Sequence, residues 1–159
     1  MTAVERSNRT IAIASADNLR DPALRDLLQL WNQLRRERSL PAREDLSPEL
    51  LRPHLGWVHL LDVLDDPRDF RFRLYGSHIA QMLNHDVTGL LLSQAFAGDF
   101  LAGLHGAFDR CATSRQPWLL ETTGAGAGKD HMDIHSLLLP LSPDDDKVTM
   151  IMVRHVFDE

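Results

Sequence analysis

The chain has 159 residues, 43% of them hydrophobic and 25% charged, with a net charge of −6. That length suits one domain with a real core and is too short for two of ordinary size, and the balance is that of a folded globular chain. The acidic surplus argues against a nucleic-acid surface, and no apolar run approaches the roughly 20 residues that a membrane-spanning helix needs.

Residues 1–20 lack a sustained period and read as a flexible N-terminal arm, with room for a short strand at Ile11 to Ile13. Thr10 to Ala16 mimics the end of a signal peptide. Its apolar stretch is too short, and Glu5, Asn8 and Arg9 stand close upstream, so a cytoplasmic location is expected. Residues 21–55 form a helical cap. Asp21 and Pro22 suit a helix start, and Leu24, Leu27, Leu28, Trp31 and Leu34 then recur at three- and four-residue steps as one apolar stripe, ending near Arg38. The cluster Arg35, Arg36, Glu37, Arg38 is a solvated helix end, where cations favour the dipole. Leu40 to Leu46 is a linker, and Ser47-Pro48-Glu49-Leu50-Leu51 predicts a compact helix start that Pro53 soon ends.

Residues 56–159 make the core. Gly56 to Leu64 predicts a strand, Asp65 to Asp69 is turn chemistry, and Phe70 to Tyr75 alternates large apolar residues with arginine. Ser77 to Leu83 predicts a short helix stopped by Asn84 or by His85-Asp86, and an irregular stretch leads to a longer helix from Gly98 to Thr113. On that helix Phe100, Leu101, Leu104, Phe108 and Cys111 share a face. The single Cys111 excludes an intramolecular disulfide and is expected to be a buried small side chain. Three strands follow: Trp118 to Thr123, His131 to Leu141 and Val148 to Val156, joined by a Gly-Ala loop and an Asp-rich turn. In the last strand both phases are apolar, so both faces of the sheet need a cover. The helix carrying Trp31 is one candidate cover, a homodimer partner is the competing one, and the two can combine; Leu27, Trp31 and Leu34 are the interface residues expected of such a dimer.

Strands, helices, then a strand meander is an α+β order. The pieces Leu30-Trp31 through Arg38 with Pro41, Arg43 and Asp45, then Leu61-Asp62-Val63, Phe70 to Gly76, Thr88-Gly89 and Leu137 to Leu141 together resemble proteobacterial stand-alone PAS proteins with an N-terminal helical cap. The resemblance implies a five-stranded antiparallel sheet with helices on one face, a small-molecule cavity beneath them, and sensing or protein interaction rather than turnover. Cys111 lacks the Asn-Cys-Arg-Phe-Leu-Gln setting of flavin photosensors of the light, oxygen and voltage type. No output domain is attached, so a signalling partner protein is implied.

Leu74, Tyr75, Met82, Leu104, Phe108 and Met150 are the expected cavity lining, and Arg73 is placed to hold a carboxylate if it turns inward. Among eight histidines, His78 and His85 lie where haem-binding PAS proteins carry their axial ligand; no resident cofactor is the expectation, with haem as the alternative. His131 and His135 are about 13 Å apart on a strand and make no zinc pair. No catalytic residues are expected. Ser136 has no nucleophile elbow, Gly124 to Lys129 fails as a phosphate loop because Asp130 replaces the magnesium-binding Ser or Thr, and Asp144-Asp145-Asp146 lacks the rest of a calcium loop. The competing functions are a ligand-free interaction or dimerisation module, and a small cone-shaped enzyme of the isomerase type needing a buried acid or His pair.

Overall fold

Residues 10–123 and 133–158 are described by the computed structural model, so the expectations for residues 1–9, for the Gly-Ala loop and for His131 lie outside the described residues. Helix α1, Pro22–Arg35, begins where Asp21 Oδ1 accepts the amides of Ala23 and Leu24, and it ends at Arg36, whose φ of 55° leaves the helical region. Arg38 then donates to the Leu34 carbonyl at 2.9 Å and pairs with Asp45 at 2.6 Å, so the basic cluster caps the helix and ties it to the linker. The helix start expected at Ser47 is a turn instead. Leu51 N–H reaches Ser47 O, but Pro53 has no amide to continue the ladder, and Arg52–His54 is a 3-10 turn.

Strand β1 (Thr10–Ser15) precedes α1; β2 (Val58–Leu64) and β3 (Asp69–Leu74) form the hairpin; α2 (Ser77–Leu83), α3 (Leu92–Ala95) and α4 (Gly98–Ser114) follow; β4 (Trp118–Thr123), β5 (Asp133–Leu141) and β6 (Met150–Asp158) close the chain. All neighbours are antiparallel in the order β1-β4-β5-β6-β2-β3. The sheet has six strands where five were expected. The sixth is β1, paired along its length with β4 from Thr10↔Thr123 to Ser15↔Trp118, so the arm expected to be flexible is built in from Thr10 onward. Strand β2 starts two residues after Gly56, because the Gly56 carbonyl accepts the His78 and Ile79 amides at the start of α2 rather than joining the ladder.

Opposed residues of an antiparallel ladder lie on one face. The register therefore puts His59, Leu61, Phe70, Phe72, Leu120, Ser136, Leu138, Ile151, Val153 and His155 on one side. Helix α4 covers that side: the Phe108 ring lies 5.5 Å from Phe70, and Ile11 packs against Gly103. The other side carries Leu60, Leu137, Leu139, Leu141, Met152 and Arg154. Helix α1 lies on it, with Leu24, Leu27 and Trp31 buried and the Trp31 indole N–H donating to Pro140 O at 2.9 Å. Ile151, Met152 and Val153 are all at most 1% exposed, which is the two-sided burial that the apolar phases of this strand require. Cys111 is fully buried on α4, and burial pushes its thiol far above the ordinary range, leaving it inert.

Leu27 and Trp31 therefore pack within their own chain, and Leu34 is half-buried against the same core. These three residues, expected at a dimer interface, lie against the sheet of their own chain. Covering the sheet face consumes the stripe.

Candidate functional site

Beside the start of α2, at the end of the sheet where β2 begins and β6 ends, the inner face turns from aliphatic to ring-lined and polar. His59 is 4% exposed, and its Nδ1 accepts the Gly76 amide at 2.9 Å, which places the imidazole proton on Nε2. The close approach needs glycine: a Cβ on Gly76 would lie 2.6 Å from the Gly56 carbonyl oxygen. The His59 ring stacks on Tyr75 at 3.9 Å, meets the edge of Phe72 at 5.8 Å and crosses His155 at 4.5 Å. His155 Nδ1 and Ser136 Oγ share a 2.7 Å hydrogen bond, and the Tyr75 hydroxyl bonds His85 Nε2 at 2.8 Å.

Desolvation dominates the electrostatics here. It drives His59 well below the ordinary imidazole range, with His155 and His85 adding to the effect, and pushes His155 down to about 3, helped by the Arg154 charge. Burial, and secondarily the Asp86 carboxylate, hold the Tyr75 phenol protonated. The site is thus a set of neutral hydrogen-bonding rings. Ser136 and His155 have the spacing of a nucleophile and base, but burial and the Arg154 charge both disfavour the imidazolium that a general base would form.

Of the expected lining residues, the structure brings Tyr75 into this niche; Leu104 and Phe108 are buried on α4, Phe108 against Phe70 at the other end of β3, and Met82 is half-buried on α2. Leu74 lies outside, 44% exposed, because a register shift between Leu60 and Leu61 pairs it with Leu60 and flips its phase relative to Phe72. Met150 sits on the α1 side, opposite Asp62 and Leu141. Arg73 is an exposed partner of Asp62 at 3.0 Å, so its guanidinium is turned away from the interior. His59, Ser136 and His155 were not singled out for this site; a polar residue in the inward phase of an apolar strand is their only sequence signal.

The two haem-ligand candidates do not converge. His78 is exposed and stacked on Trp57 at 4.9 Å, while His85 has its Nε2 engaged by Tyr75. Leu104, Phe108, Phe70 and Phe72 fill the space between the sheet and α4, and the residues present do not fit a haem. Among the described residues no group of three or more His, Cys, Asp or Glu side chains could hold a metal ion, and no helix is long and apolar enough to cross a membrane. A groove of about 520 Å³ lies elsewhere, along the outward side of α1, lined by Ala16, Asp17, Leu19, Arg25, Leu28 and Asn32.

An antiparallel sheet covered by helices on both faces, with buried rings gathered at one end of its inner face, defines an α+β module. A model of the PAS domain family matches residues 19–153, and the chain belongs to that family. PAS domains are sensory or interaction modules and generally not enzymes. No curated protein and no solved structure matches the chain.

Proposed function

We propose that this PAS domain is a non-enzymatic cytoplasmic sensor that takes a small molecule against the His59, Tyr75 and His155 rings and passes its state to a partner protein. One observation carries the reading: three hydrogen-bonding rings are concentrated, uncharged, on the helix-covered face of an otherwise apolar sheet. Thermal-shift screening of neutral and anionic metabolites tests it. A compound at about 100 times its Kd stabilises the fold by about 2.7 kcal/mol, and His59→Phe removes that gain. If no compound shifts the wild-type protein, the ligand reading falls.

A ligand-free interaction or homodimerisation module is the second reading, favoured by the exposed Leu50, Leu55, Leu74 and Leu90, each 40% to 46% accessible. It predicts self-association in light scattering that weakens when Leu74 is made polar. A concentration-independent monomer removes the dimer form of it.

A further inference from the structure

His54 lies in the 3-10 turn between α1 and β2 and is 2% exposed. Its Nε2 is 2.9 Å from Asp26 Oδ2 on α1, and its Nδ1 is 3.2 Å from the Nε of Arg154 on β6. Arginine has no lone pair to offer, so the Arg154 N–H donates and His54 Nδ1 must accept, which leaves the single imidazole proton on Nε2, donated to Asp26. The histidine is a neutral bridge joining α1 to the sheet, in the one tautomer that satisfies both neighbours.

Arg154 makes this bridge sensitive. It is 8% exposed, and its other contacts are the His155 carbonyl at 2.6 Å and the face of Trp57 at 5.7 Å. Asp21, at the N-cap of α1, acts on it through charge. The groups facing His54 are therefore Asp26 from α1 and Arg154 from β6, with Asp21 behind the latter.

We propose that the Asp26–His54–Arg154 bridge is a proton-operated latch, which holds α1 on the sheet while His54 is neutral and loosens it when His54 takes a proton. A second proton must go on Nδ1. It destroys the Arg154 bond and sets an imidazolium against a buried guanidinium. Asp26 opposes the loss but is largely solvent-exposed, with 64% of its side chain accessible, so its charge is screened. Burial, the largest cause, and Arg154 hold docked His54 below the ordinary imidazole value, with Asp26 acting the other way. With the docked pKa depressed, docking is fully supported above about 6.5 and weakens as the pH falls below it. The latch also touches the inner site: Arg154 and His155 are consecutive on β6, one on each face, so opening the α1 side frees the contact that Arg154 makes to the His155 carbonyl. The inference does not depend on a ligand in that site.

Hydrogen exchange on the whole protein, read as protection factors between about pH 7.5 and about pH 5, tests the latch. The α1 amides and the Trp31 indole N–H are expected to lose protection as the pH falls, up to about tenfold for each unit by which docking depresses the His54 pKa, while β5 and β6 stay protected. His54→Asn keeps an acceptor for Arg154 but cannot titrate, and α1 protection should become flat with pH. Asp26→Asn removes the charge that favours the imidazolium, and the acid-dependent loss should deepen. Wild-type α1 protection that does not change with pH overturns the proposal, as does an unchanged pH dependence in His54→Asn. Should His54→Asn fail to fold, a loss in Asp26→Asn no deeper than in wild type overturns it equally.

Discussion

Single side chains in this protein act through burial more than through partners. Ser136 is 1% exposed, and its hydroxyl is bonded to His155 Nδ1. Ser136→Ala leaves that nitrogen without its partner, and we expect a loss of about 1–3 kcal/mol, read as a lower urea midpoint with the slope unchanged. Tyr75 shows the same economy of position. Its ring supplies the stacking surface for His59, and its hydroxyl ties the turn after α2 through His85. His78 and His85 drew notice in the sequence because of where they lie along the chain, and the structure gives them bonding roles: one stacks on Trp57, the other meets Tyr75.

At the scale of elements, α1 is the cover for one face of the sheet. Burying Leu24, Leu27 and Trp31 contributes roughly 1.5–3 kcal/mol each, and the Trp31 indole adds a buried bond to the Pro140 carbonyl. Trp31→Ala should therefore cost about 3–5 kcal/mol and appear in thermal unfolding as destabilisation, not as a change of mass in light scattering. The hairpin of β2 and β3 matters differently. Its register shift between Leu60 and Leu61 turns Leu74 outward and lets Tyr75 turn in beneath α2, so one irregularity decides which residue lines the niche.

For the whole molecule, three histidines held below their ordinary value make stability depend on pH. His54, His59 and His155 are each depressed mainly by burial. Their neutral forms are favoured by the fold, so stability is full above about pH 6.5 and falls as the pH drops below it, by up to about 1.4 kcal/mol per unit for each group. Denaturant titrations at about pH 7.5 and about pH 5 should show the loss, and His155→Leu should reduce it.

Much of the architecture was legible along the chain because its causes are local. Asp21 and Pro22 start α1, Asn84 ends α2 with a left-handed φ of 56°, and the alternation of Phe70 and Phe72 with arginine sets the strand phase. The two apolar phases of β6 likewise required covers on both faces before any cover could be located. Tertiary structure alone decided the rest. Which strand accepts β1, which face Met150 takes and where Leu74 points all depend on register between segments far apart in sequence. The convergence of His59, Ser136 and His155 is of the same kind. Each sits alone in its strand, and only cross-strand pairing, with the desolvation that follows from packing helices over it, makes them a site.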